Sequence, residues 1–93
     1  MDVVFRWSEA KRVSNRLKHE LDFTDTARVF AGLTWAVEDE RTLYSAQRCM
    51  TLGLLKEVPV CIIHIHDEFE IRIISFRKAT RHEARLFFEE VGD

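Results

Sequence analysis

Apolar and polar positions alternate through the second half of the chain, and apolar ones recur every three to four residues near both ends. The alternation predicts strands at Gln47–Leu55, Val58–His66 and 69–76, with a shorter one at 34–37 and another at 3–5. Lys56-Glu57, Asp67-Glu68 and the run Glu38-Asp39-Glu40-Arg41 are polar connections too short for a parallel crossover, so the strands they join must be antiparallel neighbours. Ser8 is a good N-cap, and Ala10, Val13 and Leu17 follow it at helical spacing. They predict a helix over Glu9–His19 with that stripe inward and Lys11, Arg12, Asn15 and Lys18 on its other face. Asp22 and Asp25 open a second, shorter helix with Ala27, Phe30 and Ala31 inward, ended by Gly32. Thr80 and Glu83 form a capping box for a last helix that turns Ala84, Phe87, Phe88 and Val91 inward. The order β-α-α-β-β-β-β-α predicts an α+β fold: a curved antiparallel sheet with its helices on one face and the other face left for function.

Charge changes this picture more than length does. The chain has 93 residues, 46% hydrophobic and 32% charged, which suits one folded domain over 1–93. Its formal net charge of −2 argues against binding nucleic acid over the whole surface. The signs are segregated, however. Arg6, Lys11, Arg12, Arg16 and Lys18 stand against Glu9 alone; Arg72, Arg77, Lys78, Arg81 and Arg85 stand against Glu83 alone; the stretch 20–47 between these basic segments is acidic. Brought together, the basic segments make a cationic face on a near-neutral protein; kept apart, they are solvated faces with local ion pairs. Cys49 and Cys61 form no CxxC pair and read as reduced, buried thiols, which favours the cytoplasm. The start shows no secretory signal pattern, and the longest apolar run, 60–65, is interrupted by His64 and too short for a bilayer, so no membrane is expected.

The chemistry on offer is cationic. Alternation sets Ile71 and Ile73 on one side of the last strand and Glu70, Arg72 and Ile74 on the other. Arg77 and Lys78 precede a helix N-terminus, which favours anions, and guanidinium groups bind phosphate in bidentate fashion; Glu83 already uses part of that terminus. His19, beside Lys18, either complements its helix dipole or moves protons near neutral pH. His64, His66 and Asp67 suggest a metal site only by composition, because their spacing is no strong zinc pattern. Tyr44 and Trp35 either stack on bases or pack in the sheet. Phosphate-loop, nucleophile-elbow and zinc-protease motifs are all missing. Cations, histidine and hydroxyls suffice for RNA strand cleavage by the neighbouring 2′-hydroxyl, in which the substrate carries its own nucleophile and no cofactor is called for.

Two stretches carry a family resemblance. WSEAKRVSNRLKHELDFTDTARVF, with Trp7, Lys11, Asn15, Lys18-His19, Phe23, Ala27 and Phe30, resembles the opening of BrnT-type toxins. RIISFRKATRHEARLFFEE resembles the same family's closing pattern, and Arg48 and Gly53 sit where relatives often carry Arg and Gly. The resemblance implies a RelE-like, metal-independent endoribonuclease that inhibits translation as the toxin of a type II toxin–antitoxin pair. It implies RNA as substrate and a ribbon-helix-helix antitoxin as partner, with DNA contacted only through the antitoxin in repression of their operon. By matching positions, Lys18, His19, Arg48, Arg72 and Arg77 are the expected catalytic residues, with Lys11, Asn15, Ser75, Lys78 and Arg81 on RNA. Arg72 and Arg77 are assigned to phosphate and transition-state charge, Lys18 and His19 to RNA binding or proton movement. Two departures, Glu20 in place of a Gly that would end the helix in a left-handed turn and Phe87-Phe88 where relatives often have Tyr, motivate an alternative: a weakened, toxin-like binding module acting in antitoxin binding and autoregulation.

Overall fold

A computed structural model of the chain describes residues 3–38 and 47–92. Its elements run β1 (Val4–Arg6), α1 (Glu9–His19), a 3₁₀ turn (Phe23–Asp25), α2 (Thr26–Ala31), β2 (Trp35–Glu38), β3 (Gln47–Leu55), β4 (Val58–His66), β5 (Glu70–Lys78) and α3 (Arg81–Glu90). The bounds of α1, β3 and β4 and the start of α3 follow directly from cap residues and alternation. Tyr44 and most of the acidic connection before β3 lie outside the described residues. One sheet holds all five strands in the order β1-β5-β4-β3-β2. The β2-β3-β4-β5 pairings are antiparallel, whereas β1 lies parallel to β5, an edge pairing that local turn lengths do not foretell. Lys56 and Glu57 both take positive φ (49° and 70°), the conformation that a two-residue link between right-twisted strands requires.

Helices cover both faces of the sheet, not one. Val60, Ile62, Ile71, Ile73 and Phe76 face one way and bury Phe23 and Val29 from the 3₁₀ turn and α2. Leu52 and Cys61, alternating with them, face the other way and bury Phe87 of α3, with Leu86 and Val91 against the same cluster. Phe88 is exposed, so only part of the expected inner face of α3 is inward. In α2 Thr26 and Val29 are buried and Phe30 packs against the same core, as expected, while Ala27 and Ala31 are exposed. Gly53 explains the close seat of α2: a Cβ there would stand 2.6 Å from Val29 Cγ1.

The larger correction concerns α1. Val13 is 54% and Leu17 83% exposed, and Asn15, expected outward, is buried. The cause is the short β1. It pairs only with residues 70–72 of β5, so the edge of β5 beyond Arg72 needs another partner. Asn15 supplies it. Its carboxamide donates to Phe76 O (2.8 Å) and to Leu21 O (3.1 Å), and its Oδ1 accepts from Phe76 N–H (3.1 Å). One side chain thereby takes the place of a neighbouring strand, and α1 must turn its polar side to the sheet to deliver it. Arg12, hydrogen-bonded to Asp22 (2.8 and 3.1 Å) and Glu9 (3.1 Å), fixes the helix to the following turn and holds the Asp22 carboxyl well below the usual carboxylate range. Glu20 ends α1 in the left-handed conformation (φ 60°), its N–H donating to Arg16 O at 2.9 Å. The left-handed helix end expected to be lost with glycine is therefore retained by glutamate.

Candidate functional site

Turning α1 onto the β5 edge creates a cavity of about 200 Å³. Lys11, Ser14, Asn15, Lys18 and His19 line it from the helix, Ile74 and Ser75 from the strand. Lys11, Ser14 and Lys18, and likewise Lys11, Asn15 and His19, recur at steps of three or four residues, hence on one stripe. The strand members come from an irregularity in the ladder. His64 pairs with Ile73 but Ile63 with Ser75, so Ile74 and Ser75 together oppose one residue of β4. The bulge re-aims this part of β5, and the backbone of Phe76 next to it is held by Asn15.

Register places two further cations on the sheet face that Ser75 shares. Arg72 is directly opposite Ile65 of β4, and Ile65 is directly opposite Arg48 of β3. Directly opposed residues point to the same side, so these side chains form one transverse row. Arg6 of β1 pairs with Arg72 and extends that row to the sheet edge. Arg72 is exposed, and among the described residues it forms no ion pair. Arg6 is ion-paired to Glu70 while its side chain stays 62% exposed.

The remaining expected site residues are placed otherwise. Arg77 lies on the same face as Arg72 but is clamped by both carboxylate oxygens of Glu83, at 2.8 and 3.0 Å. Glu83 also closes the capping box with Thr80, so the N-terminus of α3, expected to attract phosphate, is filled by the chain's own carboxylate. Its hydrogen bonds to Arg77, outweighing burial, lower the Glu83 carboxyl to about 2. Lys78 points to the opposite face, into a groove with Glu20, Leu21 and Asp25, and Arg81 is exposed in the first turn of α3, outside the cavity.

His64 and His66 stay neighbours, their ring centroids 6.1 Å apart, but His64 is committed to the core. His64 is buried, its Nε2 2.7 Å from Thr51 Oγ1 and its ring edge-on to Phe30. Burial, with a smaller push from His66, lowers its imidazole to about 4, so it stays neutral at physiological pH. Among the described residues no three His, Cys, Asp or Glu side chains gather to hold a metal ion. Cys49 and Cys61 are both buried free thiols, and burial raises Cys61 to about 11. No helix among the described residues is long and apolar enough to cross a membrane.

Of the residues expected at a site, the cavity gathers Lys11, Asn15, Lys18, His19 and Ser75; Ser14 and Ile74 line it as well, and Arg6 joins the row beside it. Ser14 is legible in hindsight, one turn before Lys18; Arg6 and Ile74 enter only through register and the bulge. With this geometry established, comparison with known proteins adds one finding. A family model described as ribonuclease toxin, BrnT, of type II toxin–antitoxin system matches residues 7–83. No curated protein matches the chain.

Proposed function

Because the chain belongs to the BrnT family of ribonuclease toxins of type II toxin–antitoxin systems, we propose that it is an endoribonuclease whose reacting phosphodiester lies in the cavity between α1 and β5. The observation that carries this reading is the meeting of Lys11, Lys18 and His19 with Ser75 there, beside a sheet face bearing Arg72 and Arg48. In cleavage by the neighbouring hydroxyl, the 2′ oxygen bonds to phosphorus and the bond to the 5′ oxygen breaks. The products are a 2′,3′-cyclic phosphate and a 5′-hydroxyl. One group takes the 2′ proton and another protonates the leaving oxygen; His19 and Lys18 are the cavity residues given these proton transfers. Arg72 and Arg48 offset the charge that develops on the phosphoryl oxygens, and Lys11 and Ser75 hold the backbone. Asn15 and Arg77 are positioning residues in this scheme, acting through β5 and α3. Every step uses the chain's own groups and the substrate's nucleophile, so metal-independent cleavage is expected.

The family entails an antitoxin. We read it as a ribbon-helix-helix protein that lays acidic or apolar residues over the cationic cavity, through which the pair represses its own operon in the cytoplasm, and the fold as RelE-like. Desolvating like charges against the cavity would be costly, so the partner's contacting surface must be acidic or apolar. The direct test is cleavage of RNA by purified protein in chelator. Lys18→Ala, His19→Ala and Arg72→Ala should each lower the rate at least ~100-fold, with unchanged circular dichroism. Wild-type rates in all three would overturn the site assignment. Growth arrest on expression without the antitoxin supports the enzyme; harmless accumulation supports the weakened binding module. Of that alternative's two motives, the helix end at Glu20 is intact and Phe87 is a core residue.

A further inference from the structure

The arginine row reaches beyond the cavity. Arg6, Arg72 and Arg48 lie on three of four consecutive strands, with Ile65 between the last two. Adjacent strands are ~4.8 Å apart, so the backbone positions of the row span roughly 14 Å across the sheet. Ser75 at the cavity lies three residues from Arg72, which is roughly 10 Å along β5. Like charges placed directly opposite repel, and Arg6 beside Arg72 is such a pair. Glu70, bound to Arg6, is the only carboxylate among the described residues that is ion-paired to either. One carboxylate for two neighbouring guanidinium groups leaves a site in want of an anion. The row borders the α3 cluster without belonging to it: the nearest cluster members, Met50 and Ile63, lie two residues from Arg48 and Ile65.

We infer that Arg6 joins Arg72 and Arg48, which hold the scissile phosphate, in a phosphate track crossing the strands that continues onto the adjoining single-stranded RNA backbone. The inference rests on the ribonuclease reading of the cavity and adds a residue, Arg6, that lies before the span matched by the family model. Planar guanidinium groups at spacings set by the sheet suit successive phosphates of an extended strand, which carries no sequence information. Affinity should therefore grow with RNA length past the cleaved dinucleotide. Its salt dependence should report the number of arginines engaged.

The test is fluorescence anisotropy of a 2′-O-methyl RNA 12-mer, which cannot be cleaved, titrated over a range of KCl concentrations. Arg6→Ala should weaken binding several-fold at low salt and flatten the slope of log K against log salt by about 0.7, the value for one phosphate contact on a single strand. Glu70→Gln, which frees Arg6 from its counter-charge, should tighten binding. Leu17→Ser, on the outward side of α1, should match wild type. An unchanged slope in Arg6→Ala together with unchanged affinity in Glu70→Gln overturns the track while leaving the cavity assignment standing. Failure of wild-type protein to bind the 12-mer at all overturns both.

Discussion

The two longer helices, α1 and α3, are attached to one sheet by opposite means. α3 uses apolar burial: Phe87 is 1% exposed, and Leu86 and Val91 join its cluster. A capping box and the Arg77–Glu83 clamp then fix its N-terminus to the end of β5. α1 instead sits on an open strand edge and is held by hydrogen bonds, through Asn15 to the Phe76 backbone and Arg12 to Asp22, while Val13 and Leu17 face outward. The difference shows how the same basic residue types come to serve opposite ends. Arg77, next to an apolar helix, is consumed by structure. Lys11, Lys18 and His19, on a helix held by an amide, remain available at a cavity.

The contrast can be broken at each attachment. Phe87→Ala should cost about 3–5 kcal/mol, the usual loss for a buried aromatic ring, read by urea denaturation. Asn15→Ala should cost about 2–4 kcal/mol, because it strands a buried N–H and a buried carbonyl of Phe76 on the strand edge, and cleavage should fall with it. A loss under about 1 kcal/mol for Asn15→Ala would mean that α1 is held by something other than this amide.

A pH titration of stability sharpens the α3 side. Glu83 falls to about 2 in the folded chain against an ordinary 4.5, so its contribution is fully present above about pH 4.5 and is lost as pH falls toward 2. Arg77→Met should remove most of that dependence and lower stability at pH 7 by about 1–2 kcal/mol. A second acid-side loss belongs to the α2 side of the sheet. His64 falls to about 4 from 6.5, so the unfolded chain binds the extra proton and stability declines as pH drops from about 6.5 to 4. Replacing His64 with Gln should flatten that interval.

Smaller effects test the outward side of α1. Glu20→Gly should stabilise by about 0.5–1 kcal/mol, since glycine takes the left-handed cap without strain, raising Tm by a few degrees. Leu17→Ser should change stability by less than about 0.5 kcal/mol, the range of ordinary surface substitutions, whereas an inward stripe would make it severe.

Much of this was legible beforehand. Cap residues and alternation marked the bounds of α1, β3 and β4 and the start of α3, because Ser8, Thr80 and Glu83 act through backbone groups only a few residues away. Lys11, Lys18 and His19 were legible as one side of a helix for the same reason. The facing of α1 was not. Periodicity assumes that the apolar stripe turns to the core, and an edge strand ending at Arg6 reverses that rule by demanding a hydrogen-bonding partner instead. The fate of Arg77 was hidden too, because a bidentate carboxylate six residues away competes for it only once β5 and α3 fold against each other.

By itself, then, the order of residues determined the strands, the helix ends, the segregated cations and the membership of a toxin family. Tertiary structure alone decided which of those cations face a cavity, which are neutralised and which line up across the sheet. Local backbone chemistry acts within a few residues, whereas strand register and edge satisfaction join positions such as Arg6, Arg72 and Arg48, or Asn15 and Phe76, that lie far apart in the chain.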